Sequence, residues 1–89
     1  MPRVRFTQNI QRHVSCPTAE VSGSTAREVL DAYFAVHEQA RSYVLDDQGA
    51  VRHHMVVFVN GTQIRDKATL SDPVAAGDTL DVMQALSGG

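Results

Sequence analysis

At 89 residues and 9.7 kDa, the chain fits one compact domain, and its length leaves too little interior for two cores or for a deep pocket around a large cofactor. Hydrophobic residues at 43% and charged residues at 20% describe a globular chain rather than a disordered one. Eight Lys and Arg against ten Asp and Glu give a formal net charge of -2, so the basic excess on which nucleic-acid binding usually rests is missing.

The charge is uneven along the chain. Arg3, Arg5 and Arg12 have no acid among them before residue 16, whereas Asp72, Asp78 and Asp81 have no base after residue 67. The N-terminal stretch Met1 to Phe6 holds no apolar run of signal-peptide length. The longest apolar run, Met55 to Val59, falls far short of the ~18 residues of a membrane span, so a cytoplasmic protein with no membrane partner is expected. Cys16 is the single cysteine and lies between Ser15 and Pro17, with no activating base beside it. It reads as a small structural hydrophobe in a reducing compartment.

Val4 and Phe6 alternate with Arg5 and Thr7, the period of a half-buried strand, and a second short strand fits residues 18–21 ahead of the Ser22-Gly23-Ser24 break. The two read as an opening hairpin. Thr25 and Glu28 form a Thr-x-x-Glu capping box, so a helix is predicted to start there. Val29, Leu30, Tyr33, Phe34 and His37 then make one apolar stripe opposite Arg27, Asp31 and Glu38, which places this helix on a sheet. Residues 42–45 and 51–54 are expected to be short extended segments around the turn residues Asp46-Asp47-Gln48-Gly49.

Met55 to Val59 is dense in β-formers. Asn60-Gly61 after it is a two-residue hairpin signal, and Thr62-Gln63-Ile64 can return antiparallel. The last predicted strand is Thr79 to Met83, with Leu80 and Val82 on one face and Thr79, Asp81 and Met83 on the other. Strands and helix segregated in this way imply an α+β domain over residues 1–83, one main helix on one sheet face, followed by a flexible tail over 84–89.

No motif for intrinsic catalysis stands out. His53 and His54 point to opposite faces if extended, and His13 and His37 are distant in sequence, so no metal site is expected. Asp46 to Gly49 lacks the alternating acids of a calcium loop, and no glycine-rich phosphate loop precedes a helix.

The tail Gln84-Ala85-Leu86-Ser87-Gly88-Gly89 follows a strand and a Leu-x-Asp-Pro-x-x-x-Gly-Asp-x-Leu segment. With the Val-Phe-Val-Asn-Gly run of residues 57–61, Leu70, Gly77-Asp78, Leu80, Val82 and Gly88-Gly89, the chain resembles the β-grasp sulfur carriers of the ThiS and MoaD family. Thr69-Leu70-Ser71-Asp72 and the final glycine pair are also similar to ubiquitin. The resemblance implies a ubiquitin-like β-grasp fold and no intrinsic catalytic group.

It also implies that an E1-like adenylating enzyme uses ATP to convert the Gly89 carboxylate to an acyl-adenylate. Sulfur from a donor enzyme then replaces AMP to give a thiocarboxylate, which a sulfur-acceptor synthase consumes. ATP belongs to the partner, and no cofactor is held permanently. Gly88 and Ser87 would thread the partner's channel, since a glycine tail lets the backbone approach closely. Met83, Leu86 and Phe58 would dock the partner, and Asp72, Asp78 and Asp81 form either a steering patch or a solvated acidic face.

Gln84-Ala85 stands where molybdopterin-synthase small subunits commonly carry prolines, and the long connection over 39–54 is more like carriers serving cysteine biosynthesis or other special pathways. A ubiquitin-like modifier, a non-covalent binding module and the small subunit of a molybdopterin-synthase-like complex are the alternatives.

Overall fold

A computed structural model describes residues 1–85. In chain order the elements are β1 (Arg3–Phe6), α1 (Gln8–Gln11), β2 (Ala19–Glu20), α2 (Ala26–Val36), α3 (Glu38–Val44), β3 (Met55–Val59), β4 (Thr62–Gln63) and β5 (Thr79–Gln84). The strands form one mixed sheet in the order β2-β1-β5-β3-β4. β1 pairs antiparallel with β2 and parallel with β5, and β3 pairs antiparallel with both β5 and β4. The opening hairpin of the sequence reading is present, its connection carrying the short helix α1.

The core lies between the sheet and α2. Val4 and Phe6 of β1, Leu80 and Val82 of β5, and Met55 and Val57 of β3 are buried on one sheet face. Val29, Leu30, Tyr33 and Phe34 of α2 are buried on the helix side, so the alternation of the strands and the 3.6-residue period of the helix converge on one interior. Tyr33 is the largest of the fully buried side chains, and its hydroxyl donates to the Pro17 carbonyl at 2.6 Å. Burial holds its phenol above the usual range. Cys16 is buried in the same core, which pushes its thiol up. His37 caps the end of α2 half-buried, its ring 4.6 Å from that of Tyr33, so the apolar stripe ends at Phe34.

Thr25 is the N-cap of α2, its hydroxyl accepting from the Glu28 amide at 3.1 Å. The other half of the capping box is displaced by one residue: the Glu28 carboxylate accepts from the amide and hydroxyl of Ser24, each at 2.9 Å. Two further orphan amides of the helix, those of Ala26 and Arg27, donate at 2.9 Å to the carbonyls of Asp72 and Leu70. The long β4–β5 connection therefore seals the start of the helix. Gly23 sits just before it at φ 154, and a Cβ there would come within 2.7 Å of the Val29 amide nitrogen.

Two expectations are corrected. Residues 42–45 are not an extended segment: Ser42, Tyr43 and Val44 belong to α3, and Leu45 follows as its C-cap. The reason is packing, because Ala40 and Val44 lie one helical turn apart and both are fully buried beside α2. Residues 51–54 are likewise not a strand. Val51 makes an isolated antiparallel bridge to Leu45 and buries its side chain, after which residues 52–55 turn, with the Met55 amide on the Arg52 carbonyl at 2.9 Å. β5 also runs one residue past Met83, to Gln84. The ensemble of a mixed sheet with α2 packed across one face is the ubiquitin-like β-grasp fold.

Candidate functional site

The outer face of the sheet collects the residues that strand alternation turns away from α2. Cross-strand register sets Arg5 beside Asp81 and Asp81 beside Phe58, and the next outward row sets Met83 beside Val56. Val56, Phe58 and Met83 are all half-buried, which leaves a small apolar patch open on the face opposite the helix. Beside it, Arg5 donates to both carboxylate oxygens of Asp81, at 2.8 and 3.0 Å. That fork raises the guanidinium further and fixes the polar border of the patch.

The end of β5 is tied to both neighbouring strands. The Thr7 amide donates to the Val82 carbonyl at 3.2 Å, and the Thr7 hydroxyl donates to Oε1 of Gln84 at 3.1 Å. On the other side the Ala85 amide donates to the His54 carbonyl at 2.9 Å. The chain therefore leaves Ala85 from a fixed point at the rim of the apolar patch. Leu86, Ser87, Gly88 and Gly89 lie outside the described residues.

Of the sequence-predicted residues, the structure brings Met83 and Phe58 together on the outer face. It does not gather Asp72, Asp78 and Asp81 into one acidic surface. Asp72 accepts from the amides of Arg65 and Asp66 at 2.9 Å each, bonds that hold its carboxyl below the usual range. Asp78 accepts from Nδ2 of Asn60 at 2.7 Å and from the Ala75 amide at 2.8 Å. Asp81 is engaged with Arg5. All three carboxylates serve the fold locally.

Sequence reasoning missed Asp66, whose carboxylate accepts from the amide and hydroxyl of Thr69 and from those of Ser71. Those donors hold it far below the usual carboxylate range. The signal was present, since Asp66 and Thr69 have the three-residue spacing of an Asp-headed turn. The histidines are dispersed: His13 stacks on Tyr43 at 5.8 Å between ring centroids, and His37 lies against Tyr33. Among the described residues no three His, Cys, Asp or Glu side chains are grouped as metal ligands would be. No helix among them is long and apolar enough to cross a membrane.

A family model described as the ThiS family matches residues 7–89. The chain belongs to the ThiS family. ThiS-family relatives agree in sequence and in shape. Small archaeal modifier protein 1 of Haloferax volcanii is 34% identical over 82 residues, covering 80% of this chain and 90% of its own. The crystal structure of that protein superposes with a TM-score of 0.75 at 26% identity, over 99% of this chain and 98% of the other. A chain in the crystal structure of the Amycolatopsis orientalis BexX/CysO complex gives 0.82 at 23% identity with both chains fully covered. Mycobacterium tuberculosis CysO gives 0.81 at 19% identity over 97% and 100%. The last two likenesses are likenesses of fold.

The family match and the 34% identical relative place the chain in the ubiquitin-like sulfur carrier and modifier family. The Asn60-Gly61 turn read from the sequence is present, Leu70 is fully buried, and β5 lies at the centre of the sheet.

Proposed function

We propose that the chain is a sulfur carrier whose Gly89 cycles between carboxylate, acyl-adenylate and thiocarboxylate. The observation that carries this reading is that the family match runs through residue 89 and so includes the Gly88-Gly89 pair. A carboxylate resists acyl substitution because oxide is a poor leaving group. An E1-like adenylating partner removes that barrier: a Gly89 oxygen attacks the α-phosphorus of ATP, pyrophosphate leaves, and the carbonyl carbon then carries AMP as its leaving group. Hydrosulfide attacks that carbon, the bond to AMP breaks with its electron pair, and the thiol proton passes to solvent. The resulting thiocarboxylate is a protected but nucleophilic sulfur for an acceptor synthase, in cofactor or cysteine biosynthesis.

In this reading the carrier supplies no base, metal or nucleophile. Val56, Phe58 and Met83 dock the partner, Leu86 extends that contact, and Ser87 and Gly88 thread the narrow passage to the nucleotide. An apolar patch containing a Met suits a surface that must engage a donor, an activating enzyme and an acceptor in turn. The cytoplasm supplies the ATP and the reduced sulfur.

The test is intact-mass measurement after incubation with ATP, a sulfide source and the cognate activating enzyme. The expected product has one oxygen replaced by sulfur, localised to the C-terminal peptide, and a chain lacking Gly89 remains folded and unmodified. Failure of every activating enzyme to modify Gly89 sinks the reading. The 34% identity to a protein named a modifier favours a second use of the same activated end, transfer to a lysine amine. Isopeptide-linked adducts recovered from cells would reveal it.

A further inference from the structure

Seven of the eight basic side chains are arginine, and the eighth is Lys67. The distinction is chemical. An activated carboxyl is attacked by an unprotonated primary amine, and an arginine guanidinium keeps its proton and its delocalised lone pairs throughout the range in which proteins work. The other strong nucleophile, the Cys16 thiol, is only 2% exposed. The basic side chains of this chain are thus all in a form inert to acylation, with one exception.

Lys67 lies in the β4–β5 connection and is exposed. Its carbonyl accepts from the Val51 amide at 2.8 Å, and the next two carbonyls, of Ala68 and Thr69, accept from the Arg27 guanidinium of α2 at 3.5 and 3.3 Å. These bonds fix the backbone around Lys67 to the helix layer, on the far side of the sheet from Val56, Phe58 and Met83. Among the described residues Lys67 takes part in no ion pair. A copy docked through its outer sheet face leaves this amine open to solvent.

We propose that Lys67 is the acceptor at which the activated Gly89 of one copy is joined to a second copy of this chain, so that self-conjugates have a single linkage. The inference rests on the reading of Gly89 as an activated terminus. The unprotonated Nζ of Lys67 attacks the Gly89 carbonyl of the acyl-adenylate; the C–N bond forms, the C–O bond to AMP breaks with AMP taking the electron pair, and the amine proton goes to solvent. No electrons change hands beyond this substitution.

The experiment mixes two differently tagged copies with ATP and an extract of the source organism, and reads both ATP–pyrophosphate exchange and doubly tagged product. The expected product has twice the chain mass less one water, and its tandem mass spectrum places the branch at Lys67. With K67R as acceptor the product disappears, whereas K67R as donor to a wild-type acceptor still gives it, since the donor needs only Gly89. An acceptor lacking Gly89 is joined as well as the full chain. Product that survives with the K67R acceptor, or a branch at the α-amine of Met1, overturns the proposal. Exchange or thiocarboxylate formation with no doubly tagged product overturns it while leaving the carrier reading intact. No exchange at all overturns both.

Discussion

Asn60 stands at φ 49 and Gly61 at φ 83 at the tip of the β3–β4 hairpin, and from there the Asn60 side chain reaches across to the start of β5. Its carboxamide donates to Asp78 at 2.7 Å and accepts from the Thr79 amide at 2.9 Å. A left-handed backbone favours Asn or Gly here, but only Asn also makes the clamp. Asn60→Gly should therefore cost about 1–2 kcal/mol despite being ideal for the turn, from two lost hydrogen bonds worth about 0.5–1.5 kcal/mol each. Urea denaturation would show it as a lower midpoint at unchanged slope. Gly23→Ala should cost a similar ~1–3 kcal/mol for an opposite reason, since the new methyl is forced onto the backbone of the first turn of α2. A midpoint equal to that of the wild type would mean that the Ser22-Gly23-Ser24 bend yields.

At the scale of elements, the β4–β5 connection behaves as a folded unit held by two carboxylates rather than as a loose loop. Asp66 and Asp72 between them accept six hydrogen bonds, from the amides of Arg65, Asp66, Thr69 and Ser71 and from the hydroxyls of Thr69 and Ser71. Leu70, fully buried at φ 56, is the apolar peg that this cradle presses into the core. Both carboxyls have depressed folded values, so their contribution to stability is present above the unfolded carboxylate range near ~3.9 and is lost as pH falls through the folded values below it. Acid unfolding should accordingly begin below that range, and Asp66→Asn should flatten the acid limb of a stability–pH curve. An unchanged limb would assign acid sensitivity elsewhere. Leu70→Ala should cost about 2–5 kcal/mol at neutral pH.

The same elements show what a linear reading can see. The Asn60-Gly61 turn, the Thr25 cap, the stripe Val29, Leu30, Tyr33, Phe34 and the alternation that sends Met83 outward are all local patterns, and each was legible. Helix α3 was not, because Glu38 to Val44 has only Ala40 and Val44 as anchors and its helicity comes from packing beside α2. The roles of Asp66, Asp72 and Asp78 were hidden for a related reason: their partners are amides that face them only once the connection is folded. The grouping of Asp72, Asp78 and Asp81 as one acidic patch came from counting charge along the chain, which ignores where each carboxylate is spent. Phe58 and Val56 were readable as strand residues, but their meeting with Met83 depends on the register of β3 against β5.

For the whole molecule, the decisive pairing joins the two ends of the described chain: β1 lies parallel to β5, with Arg5 and Asp81 hydrogen-bonded 76 positions apart. Contacts of such long range are made late and at high entropic cost, so folding should be slow for a domain of this size. Hydrogen exchange should find the slowest amides in β5 and β1, where both sides of the central pair are covered, and the fastest in α1 and around Asp47. Protection greatest in α2 would instead mean that the helix, not the central strand pair, is the last part to open.

β5 is flanked by β1 on one side and β3 on the other. A force applied to the end of β5 along the strand axis loads the ladders on both sides in shear, all at once, instead of peeling them one bond at a time. In the proposed function, an enzyme that draws the tail into a narrow channel along that axis pulls on a strand paired on both sides. The rest of the domain serves as a stop, which sets how far the chain can be drawn in and leaves the fold unharmed by the grip.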